Sequence, residues 1–181
     1  AVMTGNTETN STGHVISATP SNWHGNPNRP VEKVSWEDAQ VFLTRLNAQQ
    51  ADNLPAGWSY ALPTESQWEY ACRAGTTTAY SWGDSITSTD ANYNRNVGQT
   101  CDVGQYAANP WGFFDMNGNV REWTADWYQS AYPTDNPVVD PTGPASGSYR
   151  VIRGGSWSND GLGLRSAKRR STPPGTRPEN L

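Results

Sequence analysis

Two adjacent glycines interrupt the run Tyr149-Arg150-Val151-Ile152-Arg153-Gly154-Gly155-Ser156-Trp157, whose β-branched and aromatic residues otherwise read as a strand. Glycine weakens a strand, so a pair of them marks a bulge or a close approach of another stretch of backbone. A second strand is expected over Val120–Tyr128, where apolar and polar residues alternate.

Helix signals lie in the first half. Ser35 and Asp38 form a capping box, and Ala39, Phe42, Leu43 and Leu46 make one apolar stripe, so a helix is expected over about 36–47. Thr64 and Gln67 repeat the box, with Trp68, Ala71 and Cys72 facing inward and Gly75 as terminator. Tyr60–Leu62 reads as a short strand or extended lead-in. Residues 1–30 read as an irregular arm tied down by Trp23, and Thr76–Pro110 as long loops. The class is α+β: two helices, a small twisted antiparallel sheet and much irregular loop, in one domain over 1–181.

Nine tryptophans and eight tyrosines in a chain that is 34% hydrophobic predict a core filled by aromatic bulk. A net charge of −4 argues against a nucleic-acid partner, and no apolar stretch is long enough for membrane insertion. No targeting segment is read at the start. Scarce lysine with abundant Ser, Thr, Asn and Gly favours an extracellular or cell-surface setting. Cys72 and Cys101 fit no zinc spacing, and whether they are joined is left open. His14 and His24 cannot supply a three-histidine site. Arg165, Lys168, Arg169, Arg170 and Arg177 crowd the last seventeen residues; Arg165, Arg169 and Arg177 suit bidentate contact with an anionic group, but for Arg165 and Arg169 pairing with inner carboxylates such as Glu65, Glu69 and Asp126 is the favoured expectation.

Asp115, Asn117, Asn119 and Glu122 surround Gly118 within eight residues. Hard oxygen donors around a glycine turn suit calcium, although the spacing is not that of an EF-hand, and on the residues alone an Asx-rich turn without metal is the favoured reading.

Pro30-Val31-Glu32-Lys33-Val34-Ser35-Trp36, Leu62 to Tyr70, Asn117-Gly118-Asn119-Val120-Arg121-Glu122-Trp123 and Arg153 to Trp157 together resemble the formylglycine-generating enzymes, or sulfatase-modifying factors. The resemblance covers about 30–181 and implies the C-type-lectin-like variant of the α+β class. It also implies that strands are clipped at both ends of this chain. It implies a structural calcium held by Asp115, Gly118, Val120 and Glu122. In this family a copper ion on two cysteines oxidises a substrate cysteine. The first falls at Asn159 here and the second within Gly161–Leu164, so copper is not expected. Cys72 matches a structural cysteine of the family.

A branch of this fold, the variable proteins of diversity-generating retroelements, keeps the Gly-Gly-Ser-Trp strand and varies exposed positions after it. The expectation is therefore a non-catalytic binding module. Trp157, Ser158, Asn159, Asp160, Leu162 and Leu164 would line its surface, toward a protein, peptide or glycan ligand on a cell or phage surface. Replacing Asn159 and Asp160 together is expected to abolish binding and leave folding intact. An oxidoreductase of altered chemistry and a structural or assembly protein are the alternatives.

Overall fold

The computed structural model describes residues 8–131 and 138–181. Ser35 caps α1 (Trp36–Gln50): its hydroxyl accepts from the Asp38 amide at 3.1 Å, and the Asp38 carboxylate accepts from the Ser35 amide at 2.9 Å. Thr64 and Gln67 do the same for α2 (Glu65–Arg73). Ala74 takes the left-handed conformation at φ 47° and ends α2 one residue before Gly75. Tyr60–Leu62 belongs to no strand.

Three antiparallel strands follow, β1 (Glu122–Trp127), β2 (Arg150–Arg153) and β3 (Arg170–Thr172), in the order β1-β2-β3. The first two lie inside the expected runs. β3 has no counterpart among them. Three residues carry no alternation, and β3 owes its conformation to pairing with β2, Arg150 to Thr172 and Ile152 to Arg170. β2 stops where Gly154 and Gly155 turn to φ 84° and 72°.

Trp123 pairs with Ile152, which pairs with Arg170, so these share one face; there Trp123 and Ile152 pack with Leu181, Trp36 and Leu62. The opposite face carries the buried Thr124, Val151 and Arg153, with the Arg153 guanidinium 5.0 Å from the Trp68 ring centroid of α2. Under the long loops a third cluster joins Tyr80, Ala91 and Leu164.

Two expectations about packing change. Aromatic residues fill only part of the interior: Trp68, Tyr80, Trp123 and Trp157 are buried, but Trp58 and Tyr70 are 73% and 69% exposed. The stripe of α1 does not face a closed core either. Asp38 is the one buried residue of the helix, and Ala39 and Phe42 instead line an apolar groove of about 320 Å³ with Ile16, Pro20, Val31 and Val34. The arm is tied down as expected, Trp23 meeting Trp157 edge-on at 6.3 Å.

Charged pairs knit the layers together. Arg169 grips Glu65 through two bonds of 2.6 and 2.7 Å, as expected. Among the described residues Arg165 does not pair inward; it is exposed, and its Nε bonds the Leu162 carbonyl. The inner cation is Arg153, which reaches Glu69 and lies 3.7 Å from Glu65. Arg177 clasps Asp38. Burial alone would raise the Asp38 carboxyl, but the bonds from Arg177 and Ser35 outweigh it and hold the group below its ordinary value.

Candidate binding loop and acidic turn

Successive side chains of a strand point to opposite faces. At the start of β1, Arg121 extends on the Trp123 face toward Asn159 and Asn180, while Glu122 accepts a bond from Trp68 Nε1 at 2.8 Å. Each belongs to a different site.

The acidic side begins at Asp115, in the left-handed region at φ 56°. Gly118 follows at φ 125°, where an added Cβ would stand 2.7 Å from the Asn92 carbonyl. The two asparagines of the turn are already engaged. Asn117 donates to the Leu164 carbonyl at 2.7 Å, and Asn119 bonds both the amide and the carbonyl of Cys101. The groups left over are those that the resemblance singles out. Among the described residues no hydrogen-bond donor meets the Gly118 or Val120 carbonyl.

Glu122 lies across the ladder from Arg153, yet that guanidinium is committed to Glu69 and Glu65. Burial pushes the Glu122 carboxyl up to about 7, against the lowering by the Trp68 bond and with a smaller push from the charge of Asp115. Asp115 is raised by burial too, although it accepts the Gly104 amide at 2.7 Å. Two carboxylates without a cation and two unbonded carbonyls, all within one eight-residue turn, are hard oxygens of the kind that calcium takes. Among the described residues no three His, Cys, Asp or Glu side chains gather, so a cation here draws on main-chain oxygens.

The loop after β2 departs from the expected surface. Leu164 is fully buried against Tyr80 and Ala91 and cannot meet a ligand. Trp157 is 8% exposed and packs on Trp23. The physical reason is the short 3₁₀ turn Gly161–Leu164, which projects Leu162 outward, 66% exposed, and folds Leu164 into the core. Ser158 is half-buried and bonds Asn180. Asn159 Oδ1 accepts from the Ser156 amide, the Ser156 hydroxyl and Arg121 Nη2, each at 3.1 Å. Asp160 is exposed but caps the turn through the Gly163 amide at 2.9 Å. Asn159 and Asp160 thus hold the loop's own backbone, so replacing both disturbs the loop as well as its surface. The outward face consists of Ser158, Asp160, Leu162 and the exposed Arg165.

The residues do not fit copper. Asn159 stands where the resemblance places the first cysteine. Cys72 and Cys101 are free thiols buried elsewhere, and burial pushes Cys72 up to about 11. Neither lies in the segment Asn159–Leu164 where the resemblance places the copper-binding pair.

Arg121 is the functional candidate that sequence reasoning missed. Beside Glu122 it reads as an ordinary strand charge; the signal lay in the period of two, which sends neighbouring opposite charges to opposite faces.

Two helices over a small antiparallel sheet, with loops clustered past a Gly-Gly-Ser strand, define an α+β scaffold of the C-type-lectin-like kind. The profile of the sulfatase-modifying factor enzyme 1-like domain matches residues 2–181, and the chain belongs to that family. It is 37% identical over 150 residues to a formylglycine-generating enzyme of Streptomyces coelicolor, covering 74% of this chain and 43% of that protein. It is also 37% identical over 154 residues to a serine/threonine-protein kinase pkn1 of Chlamydia caviae, covering 83% of this chain and 23% of that one. The chain therefore spans less than half the length of these curated relatives. Among solved structures, Treponema denticola variable protein 1 superposes with a TM-score of 0.79 and 30% identity, over 90% of this chain and 75% of that one.

Proposed function

We propose that this domain is a non-catalytic ligand-binding module. It keeps the frame of the sulfatase-modifying factors and displays the loop Ser158–Leu162 for recognition. The carrying observation is Asn159. At the position of the family's first active cysteine stands an amide whose oxygen is taken up by three internal donors. The likeness to a variable protein supports a binding role, and supports reading the exposed loop positions as diversified ones. A rigid frame with a few outward polar and apolar groups favours recognition at low entropic cost. The ligand is read as a protein, peptide or glycan at a cell or phage surface, with this domain extracellular. Calcium at Asp115, Gly118, Val120 and Glu122 clamps the turn from which β1 springs, and takes no part in chemistry.

The test has a catalytic and a binding arm. A Cys-x-Pro-x-Arg peptide incubated with the protein, copper(I) and oxygen is expected to keep its mass; conversion of its thiol to an aldehyde overturns the reading. On peptide and glycan arrays, Leu162→Asp is expected to reduce retention of any hit at least tenfold. A hit indifferent to that change moves binding off this loop.

Calcium is tested by melting. A ligand at 100 times its dissociation constant stabilises by about 2.7 kcal/mol. In a chain of this length that is a shift of roughly 5–10 °C. The shift is expected for the parent protein and not for Glu122→Gln. Equal melting with calcium and with chelator removes the clamp.

A further inference from the structure

Arg45, Arg73, Arg153, Arg169 and Arg177 each meet a carboxylate. Arg150 lies between two indoles, its guanidinium 3.7 Å from the Trp36 ring centroid and 3.5 Å from that of Trp127. Arg121 differs. Its guanidinium is half-buried, and its two bonds go to neutral oxygens, Asn180 Oδ1 at 2.9 Å and Asn159 Oδ1 at 3.1 Å. Its Nε is buried with no partner among the described residues. On the same face of the sheet, one strand beyond Ile152, stands Arg170, which is exposed and has no ion pair among the described residues. Asp160, which like Arg170 lies against Gly163, is turned back to cap the Gly163 amide. Burial and the charge of Arg170 together lower Arg121 from its ordinary value.

The two arginines border an open pocket of about 350 Å³ that also touches Ile152, Thr172, Pro178 and Leu181. A half-buried cation held, among the described residues, by neutral groups and next to a second cation is short of negative charge. Guanidinium groups supply that charge most effectively through side-on, two-point bonds to a planar or tetrahedral oxyanion.

We propose that the pocket between Arg121 and Arg170 binds an oxyanionic group of the ligand, a carboxylate or a phosphate. The role rests on the reading of the adjoining loop as the recognition surface: Asn159 links the two, since its oxygen is bonded by Arg121 and its backbone belongs to that loop. The loop contacts the body of the ligand, and the pocket holds its charged end.

The test uses the ¹⁵N-labelled protein at constant ionic strength in chloride. Inorganic phosphate and acetate are titrated separately while the arginine Nε–Hε signals are followed. Saturable shifts of Arg121 and Arg170 are expected, and the anion with the lower midpoint identifies the group. Arg170→Gln, an exposed change that leaves the Arg121 braces in place, is expected to raise the midpoint at least tenfold; Arg165→Gln should leave it within twofold. A linear drift without saturation overturns the proposal, as does a saturable shift that survives Arg170→Gln. Leu162→Asp is expected to leave anion binding within twofold. Anion binding without any array hit would therefore sink the module and spare the pocket, and array binding without a saturable shift would do the reverse.

Discussion

Arg153→Met is expected to lower the melting temperature by roughly 10–15 °C, from a loss of about 3–5 kcal/mol, the usual cost of removing one partner from a buried ion pair. Arg153 is 1% exposed. One guanidinium holds four things: Glu69, Glu65 at 3.7 Å, the Ser166 carbonyl at 2.7 Å and the Lys168 carbonyl. Methionine fills a similar volume but supplies none of these bonds, so inner carboxylates lose a cation and two carbonyls lose their donor. Arg165→Gln, on the exposed arginine twelve residues later, is expected to stay within about 0.5 kcal/mol. Thermal melts of the two variants decide the matter. Equal and small effects would mean that Arg73 and Arg169, which also hold Glu69 and Glu65, carry the network unaided.

Gly155→Ala comes next. The residue sits at φ 72°, and an added Cβ would stand 2.8 Å from both the Gly163 carbonyl and Leu164 Cδ1. Left-handed backbone costs a non-glycine residue about 1–2 kcal/mol. Overpacking a tight site adds about 1–3 kcal/mol. A loss of about 3 kcal/mol, or roughly 6–12 °C, is expected by thermal melting. Backbone carbonyl and buried leucine cannot both yield, so the 3₁₀ turn should move with them. Gly75→Ala serves as control: it shares the positive φ, but nothing lies within 4 Å of its added Cβ, so it should cost only the backbone term. If both changes cost the same, the close approach at Gly155 contributes nothing.

What could be read from the chain followed the range of the interaction. Both capping boxes close over three residues, and Ser35 and Thr64 announced α1 and α2 directly. The paired glycines announced their close approach for a similar reason, since no other residue suits it. β3 was invisible because its strand character comes from Arg150 and Ile152, some twenty residues away. Leu164 read as surface because a 3₁₀ turn has neither of the periods by which burial is judged. The acidic turn was legible as a set of oxygens, but not as a set short of a cation; that required knowing that Arg153 is spent elsewhere. The same long-range information separated Arg153 and Arg165, which look alike in sequence and occupy opposite environments.

The asparagines carry a consequence for how this protein can change. Asn109 holds the Ala71 carbonyl and accepts from the Trp111 and Phe113 amides; Asn117 holds the Leu164 carbonyl; Asn119 holds both ends of the Cys101 peptide; Asn92 holds the Gln99 carbonyl. These side chains grasp peptide groups, which every residue but proline offers alike. A loop fastened by its main chain keeps its path whatever side chains it wears. The grips at Ala71, Gln99 and Cys101 are thus indifferent to the side chains those residues carry, whereas the loop Ser158–Leu162, held by Asn159 and Asp160 themselves, is not.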